Sequence, residues 1–254
     1  MSPAARSPVA GYWRATQAPR YSLLFVLPLF LLYEALASAL AAPGVESVRN
    51  AADVVLKTPF ILFSGARGSM VFFATVIGVC VYLIGRDLRK SRDLQPRLFA
   101  LMFAESAVYA LLLGVVVGTL TQHLLGSLSG LSAQSGGGTL QQMGVGTRLM
   151  LSLGAGLYEE LLFRVLLVGG LAWLLHRMVG GSRVMTGLIA AGIGALVFSA
   201  FHYIGQYGDP WELGSFTYRA IAGLVFSGMY LTRGFGITAW THALYDVYVM
   251  IVLA

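Results

Sequence analysis

Long apolar runs, separated by short stretches rich in Arg, Gly and Pro, set the pattern of this chain. A window of about 20 residues, the length of helix needed to cross a hydrocarbon core, predicts spans at Tyr21 to Ala42, Ser69 to Gly85, Leu98 to Leu125, Arg148 to Met178, Val184 to Ile204, Phe216 to Leu231 and Phe235 to Ala254. The expected fold is an all-α, polytopic membrane helix bundle of seven transmembrane helices enclosing a polar intramembrane cavity. A further apolar stretch, Val54 to Phe63, is interrupted by Lys57 and Pro59 and reads as an interfacial or re-entrant piece; if it inserts, the count becomes eight.

Polar positions inside these runs are few and clustered. The run GLYEELLFRVLLVGGLAWLL carries Glu159, Glu160 and Arg164, and an ionised side chain left unpaired in hydrocarbon is costly enough to mark a functional site by default. Two later runs carry histidines, FSAFHYIG around His202 and THALYDVYVMIVL around His242, with Asp246 one helical turn beyond. Residues four apart share a helix face, so Glu160 stacks beneath Arg164 as a scaffold pair, whereas Glu159 is turned about 100 degrees away and is free to accept a proton from water. The same spacing relates Phe198 to His202 and His242 to Asp246. One intramembrane histidine is explained by an ordinary interhelical hydrogen bond; polar groups on three helices facing a common interior are not explained by packing alone.

Composition agrees with the pattern. Hydrophobic residues make up 57% of the chain and charged residues 11%, and the mean hydropathy is +0.76, values of an integral membrane protein. The net charge of +6 does not point to nucleic acid, because the basic residues lie between apolar runs and form no amphipathic or aromatic-interleaved patch. Sorted by the spans, Arg6, Arg14, Arg20, Arg86, Arg89, Lys90, Arg92, Arg97, Arg177, Arg183 and Arg233 fall on one side and the smaller set Arg49, Lys57, Arg67, Arg148 and Arg219 on the other. The positive-inside rule then puts the amino terminus in the cytoplasm of a bacterial-type cell. The first run, preceded by arginines and ending in ALASALAAPG, resembles a cleavable signal peptide, but its length and internal Glu34 fit a retained anchor better. A single Cys80 offers neither an internal disulfide nor a CxxC pair. The chain divides into an amino-terminal tail with three front helices over 1–126, a Gly/Ser-rich connector over 127–147 with three glycines at Gly136 to Gly138, and four back helices over 148–254, all within one membrane domain.

The motifs EExxxR (Glu159, Glu160, Arg164), FxxxH (Phe198, His202) and HxxxD (His242, Asp246), in that order on successive apolar segments, resemble the CPBP or Abi family, which includes the type II CAAX prenyl endopeptidases. The resemblance covers the back half of the chain; residues before Arg148 match only as generic spans. It implies a glutamic-type intramembrane protease without an acyl-enzyme, in which Glu159 and His202 activate water, His242 and the third-motif polar residue stabilise the oxyanion, and Glu160, Arg164 and Phe198 support them. Better-known members carry Asn where this chain has Asp246, and an ionised Asp has no proton to donate. Either Asp246 is protonated, or it orients His242 by accepting a hydrogen bond from the ring.

The resemblance implies no cofactor. The alternative is zinc held by Glu159, His202 and His242, against which stands the lack of an HExxH pair. A second alternative is a non-enzymatic proton or ion relay, or an immunity-type membrane protein, with Glu34 and Glu105 lining the path; the plainer expectation is that both are neutral acids bonded to backbone, Ser or Tyr. Expected partners are a membrane-anchored peptide or protein substrate and the lipid bilayer, with no nucleic acid. Counting about 1.5 Å per residue puts Glu159 and His242 at similar depth and His202 nearer the outer surface, unless its helix continues past Gly205 toward Tyr207 or tilt brings it down. The aromatic stretch Tyr203 to Trp211 reads as an interfacial belt.

Overall fold

The structure, a computed structural model, describes residues 8–41, 49–126, 143–205 and 208–252, which are helical apart from short turns. Residues 127–142, most of the Gly/Ser-rich connector with its three glycines, lie outside the described residues. In chain order the helices are α1 (Pro8–Thr16), α2 (Pro19–Ala39), α3 (Ala51–Ser64), α4 (Gly68–Leu88), α5 (Pro96–Leu125), α6 (Val145–Val179), α7 (Arg183–Phe201), α8 (Leu213–Arg233) and α9 (Phe235–Val252). Among the described residues six runs are long and apolar enough to cross a membrane: α2, Ala51–Leu88, α5, α6, α7 and α9. The seventh predicted span corresponds to α8, which is 21 residues long but diluted by Ser215, Thr217, Arg219, Ser227, Thr232 and Arg233. Together these form the all-helical membrane bundle that the pattern predicts.

The interrupted stretch around Lys57 and Pro59 is α3, started by Asn50, whose side chain accepts a hydrogen bond from the Ala52 N–H as an N-cap should. The chain reverses at Gly65, where φ is 56°, a left-handed conformation that glycine adopts without a Cβ clash. Beyond the turn α4 folds back along α3, with the Phe60 and Phe72 rings 5.3 Å apart. Fourteen residues of helix span only about 21 Å, short of the roughly 30 Å core, so α3 is the shorter arm of a helical hairpin. Phe63 at its tip is 92% exposed, as a lipid-facing side chain would be.

α9 runs through the middle of the bundle and packs against α2, α5, α6 and α8. Its contact with α6 is backbone on backbone: a Cβ at Gly156 would lie 2.4 Å from the Ala239 carbonyl oxygen, the small-residue approach that membrane helices use when burial in lipid gives no hydrophobic gain. Against α2 it is fixed by the Gly236 N–H donating to Ser22 Oγ at 2.8 Å and by Trp240 Nε1 donating to the Phe25 carbonyl at 2.6 Å. α6 is α-helical over Val145–Gly154, winds with i→i+5 bonds over Ala155–Gly169 and returns to α over Gly170–Val179. The wide-turned stretch carries the whole first motif, and π geometry is frequent at functional sites.

Two buried polar networks correct the expectation of neutral acids in the front helices. Glu105 on α5 receives both Arg233 Nε at 2.6 Å and Arg233 Nη2 at 2.7 Å, with the Tyr12 hydroxyl donating to Oε2 at 2.7 Å, so α1, α5 and α8 are tied together. Glu34 on α2 pairs with Lys57 Nζ at 2.7 Å and accepts from the Tyr158 hydroxyl. Lys57 also reaches Asp53 at 2.6 Å, and Asp53 takes Arg49 Nη1 at 3.1 Å and the Tyr33 hydroxyl at 2.8 Å. Each acid has the tyrosine partner that was expected, Tyr12 for Glu105 and Tyr158 for Glu34, and in addition a cationic partner that was not, Arg233 and Lys57. Lys57 and Arg233, which the pattern counts among the charges flanking the spans, are buried members of these pairs.

Candidate active site

The wide-turned part of α6 sends its two adjacent glutamates to different neighbours, and both are buried. Glu160 Oε2 lies 3.2 Å from Arg164 Nε, and Oε1 lies 2.7 Å from His242 Nδ1 on α9. A carboxylate only accepts, so His242 carries its proton on Nδ1 and presents Nε2 to the other side. The Arg164 guanidinium sits over the Phe198 ring at 4.2 Å and the Phe226 ring at 5.3 Å, cation–π contacts that suit a desolvated arginine. Phe226 also stacks on His242 with ring centroids 4.4 Å apart. His242 is thereby fixed by a hydrogen bond at one edge and a ring on one face.

Glu159 faces elsewhere. Its Oε1 accepts from Asn50 Nδ2 at 2.8 Å, and its Oε2 lies 4.0 Å from His202 Nε2. α7 ends at Phe201 and His202 is the residue after it, so the helix does not run on toward Tyr207, which lies outside the described residues. Instead the His202 carbonyl accepts from the Asp209 N–H at 2.9 Å, and Asp209 is paired with Arg219. His202 Nδ1 is 2.9 Å from the Phe198 carbonyl. That oxygen can only accept, so Nδ1 carries a hydrogen and Nε2, the other ring nitrogen, is the one that faces Glu159.

Asp246 stands one turn past His242 with Oδ2 3.8 Å from His242 Nε2, beyond hydrogen-bond distance. The carboxylate that receives a His242 N–H is Glu160, not Asp246. Glu160 and Arg164 are sealed in, whereas His202 and Asp246 are half-buried, so the cluster opens on the side of those two residues. The structure therefore brings together all seven motif residues, Glu159, Glu160, Arg164, Phe198, His202, His242 and Asp246, from α6, the end of α7, and α9. Two further contributors have no signal in the motif spacing. Asn50 reads in sequence only as a helix start before an apolar run, and Phe226 as one apolar residue of α8 among many.

Among the described residues no group of three His, Cys, Asp or Glu side chains is arranged to hold one metal ion. Within the zinc set that the sequence offers, His242 Nδ1 is already given to Glu160 and Glu159 Oε1 to Asn50.

The comparison with known proteins falls on the same part of the chain. Residues 141–248 are similar to a known family. They match the family model described as type II CAAX prenyl endopeptidase Rce1-like. This Rce1-like segment begins just before α6 and ends inside α9, and so contains every motif residue, while Asn50 and the α2–α3 ion network lie ahead of it. The Rce1-like match supports a CAAX endopeptidase-type protease, and with six apolar helices the chain is an integral membrane protein. No curated protein and no solved structure matches the chain.

Proposed function

We propose that the protein is a glutamic-type intramembrane endopeptidase that hydrolyses a peptide bond near the membrane-anchored end of its substrate. The observation that carries the reading is the 4.0 Å gap between Glu159 Oε2 and His202 Nε2. With Glu159 ionised and His202 neutral both atoms are acceptors, so they do not bond each other directly. One water between them donates a hydrogen to each and keeps its lone pairs outward, toward a carbonyl carbon. Glu159 takes the proton as the oxygen attacks, and His202 shares it and returns it to the leaving amine. No covalent enzyme intermediate is required.

On the other side, His242 is held through Nδ1, which leaves Nε2 and Asp246 to serve the developing oxyanion. One proton shared across their 3.8 Å separation makes a donor of either group: the imidazolium N–H if it rests on His242, the carboxylic O–H if it rests on Asp246. That sharing accounts for an aspartate where an amide would donate by itself, and oxyanion donors of this kind are a large part of the catalysis of acyl transfer. Prenylation of the substrate is not a requirement of this chemistry.

The test is cleavage of a panel of membrane-anchored peptides, prenylated and not, by purified protein in liposomes with and without chelator. Glu159→Gln and His202→Ala are each expected to lower kcat/KM by at least about 100-fold, with chelator leaving wild type unaffected. Full activity in Glu159→Gln would overturn the mechanism, and chelator-sensitive cleavage would replace it with a metalloenzyme.

A further inference from the structure

Glu159 is the only one of the two glutamates whose partner comes from the front of the chain. We propose that Asn50 is a positioning residue: its amide holds one oxygen of the Glu159 carboxylate so that the other faces His202. The inference rests on the proposed reading of Glu159 as proton acceptor and extends it to a residue that lies outside both the motifs and the family match.

The amide can face only one way. Asn50 Oδ1 accepts from the buried Ala52 N–H at 2.9 Å, which commits the oxygen to capping α3 and turns Nδ2 toward Glu159 Oε1 at 2.8 Å. A neutral N–H to a carboxylate is charge-assisted, and it fixes an anion that burial leaves with few other partners. Without it Oε1 would have no donor among the described residues, and the side chain could rotate away from His202.

Asn50 is itself held. One turn into α3, Asp53 pairs with Lys57 at 2.6 Å, and Lys57 reaches across to Glu34 on α2 at 2.7 Å. Glu34 in turn accepts from the hydroxyl of Tyr158, the residue next to Glu159. The α2–α3 ion cluster thus grips the same turn of α6 twice, through Tyr158 and through Asn50. Gly154 makes room for this: a Cβ there would lie 2.9 Å from Asn50 Cβ and 2.6 Å from the Tyr33 ring. Gly154 precedes Glu159 by five residues, one turn of the i→i+5 winding that begins at Ala155. A bare backbone at that position is what lets the start of α3 rest against α6.

Two variants separate donation from capping. Asn50→Asp and Asn50→Ser both keep an oxygen that can cap α3, and neither offers an N–H to Glu159. Both are expected to lower kcat by about 10- to 100-fold with KM near wild type; Asn50→Ser also keeps the thermal midpoint near wild type, a split that a merely structural role would not give, whereas Asn50→Asp lowers it by setting a second carboxylate against buried Glu159. Glu159→Gln run alongside fixes the floor. If wild type cleaves, Glu159→Gln does not, and Asn50→Ser keeps full kcat, the positioning role is overturned while the proposed mechanism stands. If wild type cleaves nothing, that mechanism fails, and the contact is read without substrate: the infrared carboxylate band that disappears in Glu159→Gln should move in Asn50→Ser. A band that stays in place overturns the contact.

Discussion

Glu160 lies between Arg164 Nε at 3.2 Å and His242 Nδ1 at 2.7 Å, with no side of it open to solvent. Its charge is therefore balanced only by those two groups. Arg164→Met removes one of them and leaves a buried carboxylate under-compensated, which should cost about 3–5 kcal/mol; a large fall in the thermal midpoint of the detergent-solubilised protein is the expected reading. Asp246 is predicted to behave differently because it touches the open side. Asp246→Asn supplies a permanent N–H donor and should retain cleavage, whereas Asp246→Leu supplies none and should lose about 100-fold or more in kcat, measured on the same liposome substrate. At this scale the motifs were readable because a charge in an apolar run is conspicuous. The division of labour between Glu159 and Glu160 followed from helical spacing, but the partners themselves come from elsewhere in the chain, Asn50 from 109 residues before Glu159 and Phe226 from 62 residues after Arg164.

α6 and α9 carry most of the site between them, and their backbones meet at Gly156. A side chain there would have to enter the space of the Ala239 carbonyl and the Ala243 backbone, at 2.4 Å and 2.6 Å from a Cβ, and backbone cannot yield as a flexible side chain does. Gly156→Val is expected to destabilise by at least about 1–3 kcal/mol and to separate Glu160 from His242, visible as a lowered thermal midpoint together with loss of cleavage. The hydropathy pattern located α6, α7 and α9 because each is a long apolar run. α3 was harder to read: Lys57 and Pro59 break its apolar face, and only the hairpin with α4 and the pairing of Lys57 with Asp53 and Glu34 make those interruptions compatible with burial.

For the whole molecule, the front helices are more than an anchor. α2 and α3 supply the ion cluster next to Glu159, and α1, α5 and α8 are joined through Arg233 and Glu105. Because Lys57 and Arg233 are buried in these pairs, sidedness rests on the exposed residues Arg86, Arg89, Lys90, Arg92 and Arg97 around the α4–α5 turn. These predict that the turn is cytoplasmic. With Cys80 replaced by Ser, a Lys90→Cys variant should react with a membrane-impermeant maleimide in inverted vesicles and stay unlabelled in intact cells; labelling from outside would reverse the orientation.

The sequence by itself determined the membrane class, the helical fold, the approximate spans and the identity of the seven motif residues, because hydropathy and i, i+4 spacing are local properties written along the chain. Only the tertiary structure decided that His202 ends its helix and still faces Glu159 at 4.0 Å, that Glu160 rather than Asp246 receives the His242 N–H, and that Asn50 reaches the site from outside the back half. Each of those depends on the placement of one helix against another, and that placement is set by backbone contacts at glycines and by buried ion pairs between residues far apart in the chain, which no local pattern encodes.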